Sequence, residues 1–436
     1  MPKTRRPDYR ELRIHAKNLS EISRTARYEH SKSAACSGFM NMVKTQAISF
    51  GLRFAEFAQY FGPAWIVMIA DVDAASVLTA AENGAVYGYG MIWILLILIV
   101  PLFVIQEAAG RIGVATGKGL GEVVRENFSR RTALLVTLPM AATDFLSYVA
   151  EYAGIAIGMS LLGVPPVFAL PVVFLIHLMV VYRQKYFTVE KALLVVSIIF
   201  VASYVASLLL RGVMNYSPVY IGTNHQFLYF VAADIGAVVM PFMLFYQASA
   251  TAEKGVRSVW ISRTETLLGA VVSEVIMVLI VMVTAGMNSF TSFTLANPEK
   301  LSLGLSNVAG TYAPYVFGIG LVAASFLALV VISLAGAWGV AEAAGWGRKR
   351  YFWIYLAESI PAVFVPLVFT NLISLALNLM VAFVFVLMAP AIMTGLIASN
   401  RKVMGEHTST GIWKIAYWTC LVGILSFGIL ALATYS

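Results

Sequence analysis

The sequence predicts an all-α integral membrane protein with about eleven transmembrane helices. Three observations support this class: an apolar composition, eleven apolar stretches long enough to cross a bilayer, and basic residues concentrated in alternate loops. Of the 436 residues, 60% are hydrophobic and only 12% are charged. Because soluble domains average about 25% charged residues, this chain lacks the polar residues needed to cover a water-soluble surface. We therefore expect the lipid bilayer to be its main solvent.

The first 53 residues differ from the rest by being polar and basic. They contain no apolar core of about 7–15 residues behind a positive start, so they do not resemble a cleaved signal peptide. We expect residues 1–53 to form a cytoplasmic tail in front of a membrane domain at 54–436. The net charge of +8 reflects this tail and alternate loops, so it does not indicate a nucleic-acid partner.

Eleven apolar stretches follow the tail. A helix needs about 20 mostly apolar residues to cross the hydrocarbon core of a bilayer. The predicted spans lie near 54–86, 89–112, 132–162, 165–182, 192–211, 227–250, 264–287, 309–338, 352–369, 372–398 and 413–434.

The basic residues predict how these spans are oriented. The loops after the even-numbered spans carry most of them, for example Lys118, Arg183 and Lys254. The intervening loops are nearly bare, with Arg211 and Lys300 as the main exceptions. Because basic loops remain in the cytoplasm, we expect a cytoplasmic N-terminus and, with an odd number of spans, a C-terminus outside. The compact loops favour a prokaryotic inner membrane.

The first span contains an acidic interruption, A-D-V-D-A-A-S at 70–76. An ionised carboxylate near the bilayer centre costs about 3 kcal/mol on insertion scales, so Asp71 and Asp73 require an explanation. One explanation is purely structural: either residue could lie near the membrane interface or pair with a basic side chain. The other is a functional cation site inside the membrane.

The sixth span contains Pro241, which removes a backbone donor and disrupts the helix. Spans 1 and 6 open two halves of five spans each, at 54–211 and 227–398, and 413–434 is an extra helix. Interrupted helices at corresponding positions of inverted repeats indicate a transport site at the bilayer midplane.

The chemistry around the two interruptions suits a cation. Unwinding frees carbonyl oxygens, and the carbonyl ends of half-helices carry partial negative charge. A cation could then be held by Asp73, by these carbonyls and by the soft sulfur of Met240. Met in a membrane helix is more often a packing residue, so the acidic partner on span 1 is what favours the ligand interpretation.

Further polar residues inside the spans are candidates for a supporting role around a metal ion or for a proton or cation pathway. They are Asp71, Asp144, Glu151, Asp234, Gln247 and Glu274. Glu274 could equally be an interhelical partner of a Tyr or Ser. Asp144 and Glu151 are seven residues apart and share a helix face, so they could form a carboxylate pair or line a polar cavity. For His177 we favour a helix-lining role over a ligand role.

Several sequence motifs follow one another along the chain. They are G-P-A-W at 62–65, E-N-G-A-V-Y-G-Y at 82–89, Q-E-A-A-G-R-I-G-V-A-T-G-K-G-L-G-E at 106–122, A-E-Y-A-G at 150–154 and S-N-R-K-V-M-G at 399–405. In this order they resemble the natural resistance-associated macrophage protein (NRAMP) family of divalent metal transporters. The resemblance covers roughly residues 55–434.

The resemblance implies a leucine-transporter-like fold of five plus five inverted helices, with helices 1 and 6 broken. It also implies metal ligands: an Asp and an Asn of span 1, a Met of span 6, and a carbonyl one turn before that Met. The matching positions here are Asp73, Ser76, Met240 and the carbonyl of Ala237. No permanent cofactor is implied, because the metal ion is the cargo, and a monomer is compatible with the fold.

The chain also departs from the family's pattern. The family's Asp-Pro-Gly-Asn of span 1 and Met-Pro-His-Asn of span 6 are D-A-A-S at 73–76 and M-P-F-M at 240–243. Phe242 replaces the His implicated in proton movement, and Tyr148 replaces an acidic residue of span 3, although Glu151 remains. We therefore do not expect proton coupling by the family's usual route.

The identity of the metal stays open at this point. The D-A-A-S pattern and E-K-G at 253–255 also resemble an NRAMP-related branch that includes magnesium transporters, although that branch tends to replace the span 6 Met. The thioether of Met240 favours Mn²⁺ or Fe²⁺, whereas Ser76 and additional carboxylates favour a hydrated hard ion such as Mg²⁺. The alternative function is transport of an amino acid or other organic solute by the same fold. No H-E-x-x-H or G-x-S-x-G motif occurs, so an enzyme is not expected.

Overall fold

The computed structural model describes residues 55–183, 186–287, 297–347, 350–368 and 373–435. Throughout these ranges the regular secondary structure is helical, and they contain no strand. The predicted tail at 1–53 lies outside the described residues. The chain divides into two units, at 1–60 and 61–436. Of the first unit only 55–60 is described, as a helical segment.

Seven helices make up the first half of the larger unit. They are α1 (Pro63–Asp71), α2 (Ala74–Tyr87), α3 (Ile92–Thr116), α4 (Leu120–Asn127), α5 (Arg130–Leu161), α6 (Pro166–Arg183) and α7 (Tyr186–Arg211). Helix α1 begins where Gly62 adopts a φ of 152°, a value that disfavours any residue with a side chain, and where Pro63 occupies the first turn.

Ten further helices complete the described chain. They are α8 (His225–Val238), α9 (Pro241–Lys254), α10 (Val259–Thr284), α11 (Pro298–Ala309), α12 (Ala313–Ala344), α13 (Tyr351–Val368), α14 (Ile373–Val386), α15 (Met388–Ala398), α16 (Arg401–Met404) and α17 (Gly411–Tyr435). A single 3₁₀ turn, Gly405–His407, follows α16.

The predicted membrane class is confirmed by these helices. Among the described residues, nine helical segments are long and apolar enough to cross a membrane, and the bent pair α1–α2 makes ten. In that count α8 and α9 form one span. Helix α6 is apolar but shorter, and it occupies the fourth predicted stretch. Each of the eleven predicted stretches therefore contains a helix or a helix pair, with ends shifted by several residues.

The two halves interlock rather than lying side by side. Helix α5 of the first half packs along α12 of the second, and α10 packs against both α3 and α2. Glycines allow the closest approach: a Cβ on Gly158 would lie 2.9 Å from the carbonyl oxygen of Gly318, and the reverse distance is also 2.9 Å. Small residues at helix crossings are the usual means of close packing in membranes, where lipid provides no hydrophobic drive between helices.

The outer surface is apolar and the interior holds the polar residues. Large apolar side chains are exposed around the helix bundle, including Leu135, Phe168, Leu209, Trp353 and Ile415. Meanwhile many carboxylates, amides and hydroxyls are fully buried. This distribution is the reverse of a soluble protein and fits a chain surrounded by lipid, in which intramembrane ionisable groups face the bundle interior.

Candidate functional site

The first helix interruption separates α1 from α2, which are bent by 48° relative to each other. Helix α1 ends at Asp71, and Val72 leaves the helical conformation. Asp73 has an extended backbone and caps α2, because its Oδ1 accepts a hydrogen bond of 2.7 Å from the Ser76 amide. The Ser76 hydroxyl donates to the Asp71 carbonyl at 3.0 Å. Hydrogen bonds made by side chains of the D-A-A-S motif therefore stabilise the helix break at which the motif lies.

The second interruption separates α8 from α9. Val239 and Met240 both have extended backbones, and Pro241 occupies the first turn of α9. In a continuous helix the Ala237 carbonyl would accept from the amide of residue 241. Proline has no N–H, so Pro241 leaves the Ala237 carbonyl without its helical donor. The M-P pair thus frees the carbonyl oxygen that is predicted to be a ligand.

The packing of the half-helices brings the two interruptions together. Helix α1 contacts α9, and α2 contacts α8. Each half of one broken span therefore packs on the opposite half of the other. The two breaks lie between these contacts and face each other. The carbonyl ends of α1 and α8 point their partial negative charge into the same region, which favours a cation.

The four predicted ligands lie at these breaks and are shielded from solvent. Asp73, Ser76, Ala237 and Met240 are each at most 2% exposed. In this structure solvent therefore does not reach these four residues. Their donors are a carboxylate, a hydroxyl, a carbonyl and a thioether. No group of three or more His, Cys, Asp or Glu able to hold a metal ion occurs in the described ranges, so only a mixed donor set of this kind is offered there.

Glu151 supports the first interruption from the neighbouring span. It lies on α5, and its Oε2 accepts a 3.1 Å hydrogen bond from the Ala74 amide. Gly154, less than one turn further along α5, faces the side chain of Ala74, so α5 runs directly behind the D-A-A-S motif. Glu151 thus contacts the backbone next to Asp73, and its supporting role at a metal site stays a prediction.

Three further predicted carboxylates line the same region. Asp71 interacts electrostatically with Glu274 and Asp73, and Glu274 interacts with Asp234. Asp234 Oδ1 accepts from the Asn83 side chain at 2.7 Å. One oxygen each of Asp71, Asp234 and Glu274 has no hydrogen-bond partner among the described residues. These oxygens therefore have unused hydrogen-bonding capacity.

Two predicted residues lie in other contacts. Gln247 donates from Nε2 to Thr266 Oγ1 at 2.8 Å, which joins α9 to α10. Asp144 lies opposite Glu358 of α13, so its carboxylate partner is not Glu151 on its own helix. His177 bonds to the hydroxyls of Tyr152 and Ser333, in agreement with the helix-lining role preferred for it.

Sequence reasoning missed a set of residues that fix the start of α1. The Oε1 atom of Glu265, on α10, accepts from the amides of Gly62 and Trp65. Lys254, the last residue of α9, donates to the Phe61 carbonyl and to Glu190 of α7. We call the set Phe61, Gly62, Glu190, Lys254 and Glu265 the α1 anchor.

The α1 anchor is a buried electrostatic contact rather than a surface one. The side chains of Lys254 and Glu190 are 7% and 5% exposed and their charged atoms lie 2.6 Å apart. The available sequence signal was weak: Lys254 belongs to E-K-G, and Glu265 is an acidic residue near the start of an apolar span. The anchor thus joins the start of α1 to α7, α9 and α10.

Comparison with known proteins found similarity along most of the chain. Residues 64–434 match the family model described as natural resistance-associated macrophage protein-like. The chain is 27% identical over 293 residues to "Divalent metal cation transporter MntH" of Verminephrobacter eiseniae, covering 64% of this chain and 67% of that protein. It is 23% identical over 405 residues to the protein of the same name from Bacillus subtilis, covering 86% and 92%.

Solved structures share the fold. The Eremococcus coleocola manganese transporter aligns with a TM-score of 0.70 and 18% identity over 87% of each chain. The transporter MhsT in complex with L-phenylalanine aligns with a TM-score of 0.55 and 13% identity, over 85% of this chain and 98% of that chain. At such identities the likeness concerns the fold alone, and it confirms the leucine-transporter-like architecture predicted from the sequence.

Proposed function

This chain belongs to the natural resistance-associated macrophage protein-like family, and from that premise we propose that it carries divalent metal cations across a membrane. One observation supports the proposal above all. Asp73, Met240 and the Ala237 carbonyl freed by Pro241 all lie at the two helix breaks, whose half-helices pack against each other as α1 on α9 and α2 on α8. The names of the relatives, divalent metal cation transporters, support the same cargo.

Each proposed ligand has a distinct role. Asp73 supplies the negative charge that compensates part of the ion's charge in a low-dielectric interior. Ser76 adds a hydroxyl oxygen, whose lone pairs remain available because its proton is donated to the Asp71 carbonyl. The Ala237 carbonyl adds a neutral oxygen. Met240 adds a soft sulfur, which selects against ions that bind oxygen alone.

We propose that the site works by alternating access, with the described state as the closed intermediate. Release toward the cytoplasm then requires the start of α1 to move, which breaks the α1 anchor at Lys254 and Glu265. Because both helix breaks and all proposed ligands belong to one chain, we propose that a monomer suffices for transport. The basic residues in alternate loops favour a cytoplasmic N-terminus, and we propose a prokaryotic inner membrane as the location.

The donor set favours Mn²⁺ or Fe²⁺ as cargo because a thioether binds these ions better than Mg²⁺. A specific observation favours Mg²⁺ as the second candidate. The unpartnered oxygens of Asp71, Asp234 and Glu274 are suited to the retained water shell of a hydrated hard ion. An organic solute with a carboxylate is disfavoured, since these acidic groups would repel it.

Metal entry into proteoliposomes tests the proposal. We expect saturable Mn²⁺ uptake that excess Mg²⁺ inhibits only weakly and that amino acids do not inhibit at all. The matched control is Glu126→Gln, which changes an exposed acidic residue of α4 outside the spans. Uptake that never saturates would indicate a channel, and inhibition by organic solutes with no response to metal would refute metal transport.

A further inference from the structure

A second pair of acidic groups lies away from the helix breaks, where α5, α12 and α13 meet. A Cβ placed on Gly336 of α12 would lie 2.9 Å from Asp144 Oδ2 and 3.6 Å from Glu358 Oε2. Both carboxylates therefore point at one position on α12 from two different helices. This position is open because residue 336 is glycine.

These carboxylates have no compensating positive charge in the described part of the chain. Asp144 is fully buried, and neither of its oxygens has a hydrogen-bond partner among those residues. The same holds for Glu358 Oε2. The described ion pairs include neither residue, and the charged group that interacts with Asp144 is Glu358 itself. Two like charges facing each other in an apolar bundle cannot both remain ionised without a cation.

The nearest histidine does not supply the missing charge. The Ser333 hydroxyl donates to the Leu329 carbonyl, so it must accept from Nε2 of His177, which lies 2.8 Å away. The Tyr152 hydroxyl lies 3.1 Å from Nδ1 of the same ring. His177 is thus satisfied by hydroxyls alone, without a contact to either carboxylate.

We propose that Asp144 and Glu358 together bind one small hard cation, either a proton or an alkali ion, at a site separate from the metal site. The neighbouring donors are oxygens, which hard cations prefer. A single positive charge leaves the pair with one net negative charge. The buried hydroxyls of Tyr148 and Tyr355 lie beside the pair and can donate to the remaining carboxylate. A divalent ion is a poorer fit, because Mg²⁺ or Ca²⁺ requires six or more ligands.

The site has a structural connection to the metal site. Asp144, Tyr148 and Glu151 follow one another at spacings of four and three residues, so they share a face of α5. Glu151 accepts from the Ala74 amide next to Asp73. Occupancy of the acidic pair can therefore bias the position of α2. This coupling rests on the proposed transport function, whereas cation binding by the pair does not.

Thermal unfolding of the purified full-length chain tests cation binding without any transported metal. Three titrations are compared: pH from about 6 to about 9 at fixed salt, and NaCl and KCl, each replacing choline chloride at fixed ionic strength. If the cation is a proton, the native state binds more protons than the unfolded chain, so Tm falls by several degrees as pH rises. If it is an alkali ion, Tm rises with that ion by mass action.

The matched variants are Asp144→Asn and Glu358→Gln, made singly and together, and the control is Glu126→Gln, which changes an exposed acidic residue of α4. An amide resembles a protonated carboxyl in shape, so each single variant already mimics the occupied pair. Because Asp71, Asp234 and Glu274 are also buried carboxylates, we expect the variants of the pair to show a smaller change of Tm than wild type, whereas Glu126→Gln retains the wild-type change.

The titrations distinguish three outcomes for the pair: proton binding, alkali-ion binding and no cation binding. A pH response of Tm that the variants of the pair reduce identifies the proton as the ligand, and a response to NaCl or KCl that they reduce identifies an alkali ion. If wild type and all variants of the pair respond identically in every titration, the pair binds no cation and the inference is wrong. If the protein did not transport metal ions, these unfolding results would be unchanged. The experiment therefore tests cation binding by the pair separately from the proposed transport function.

Discussion

The helix breaks at the centre of the molecule and the α1 anchor at its end use buried polar groups in opposite ways. At the breaks, Asp71, Asp234 and Glu274 each retain an oxygen without a partner among the described residues. In the anchor, Lys254 and Glu265 are each paired with two groups of other elements. A cation site needs oxygen atoms that do not already accept hydrogen bonds. A contact that holds helices together instead needs polar groups that are paired with one another. The difference distinguishes the two regions without reference to any relative.

The largest expected effect comes from removing the charge at the breaks. Asp73→Ala takes away the carboxylate among the proposed ligands and leaves the ion's charge uncompensated. Losing one member of a buried charge pair costs about 3–5 kcal/mol, which corresponds to a hundredfold or greater loss of affinity. We expect Mn²⁺ uptake into proteoliposomes to fall to background, with Glu126→Gln close to wild type. Near-normal uptake by Asp73→Ala would place the metal elsewhere.

The next effect concerns the carbonyl freed by proline. Pro241→Ala restores an N–H that can bond to the Ala237 carbonyl, so this oxygen becomes a weaker ligand. One hydrogen bond contributes about 1 kcal/mol, and we therefore expect the apparent affinity for Mn²⁺ to fall about fivefold to tenfold. The matched control is Pro139→Ala, a proline inside α5 at a lipid-exposed position. Equal effects of the two substitutions would mean that the loss comes from helix distortion.

Met240→Leu changes selectivity more than it changes packing. Leucine preserves the volume of methionine, so the cost in stability is below about 1.5 kcal/mol. Loss of the sulfur should weaken Mn²⁺ binding but not Mg²⁺ binding, and inhibition of Mn²⁺ uptake by Mg²⁺ should strengthen severalfold. The control is Met140→Leu, another fully buried methionine. If Mg²⁺ inhibits both variants as weakly as wild type, Met240 is a packing residue.

The smallest effect is expected at the α1 anchor. Lys254→Gln removes the positive charge that lies 2.6 Å from Glu190 Oε1, and it also removes the hydrogen bond to the Phe61 carbonyl, which should favour states in which α1 has moved. A cysteine at Ala64, which is 1% exposed on α1, should then react severalfold faster with a water-soluble thiol reagent, in a background without Cys36 and Cys420. The double variant Lys254→Gln with Glu190→Gln should restore part of the protection of this cysteine against the reagent. The reason is that neither position 254 nor position 190 then carries a buried charge. Unchanged reactivity in the single variant would contradict a closing role.

The fold could be predicted from the sequence because the signals that determine it are local. Apolar stretches predict the membrane spans, and a proline such as Pro241 disrupts a helix at its own position. The D-A-A-S motif likewise caps its own helix through Asp73 and Ser76. The positions of both helix breaks therefore follow from short stretches of sequence.

The remaining contacts depend on residues far apart in the chain. Glu265 meets Gly62 across 203 residues, and no local pattern predicts that meeting. Asp144 and Glu151 share a helix face, and that periodicity suggested a pair. The structure instead places Asp144 opposite Glu358, because α13 packs against α5. Helix–helix packing decides such partners, and packing is not visible in the spacing of one helix.

The central claim is that one metal ion binds between the two helix breaks with a sulfur among its ligands. X-ray absorption at the Mn K-edge measures this directly on the purified protein loaded with Mn²⁺. We expect one sulfur together with several oxygens around Mn²⁺, and loss of the sulfur signal in Met240→Leu but not in Met140→Leu. A coordination shell of oxygen alone in the wild-type protein would contradict it.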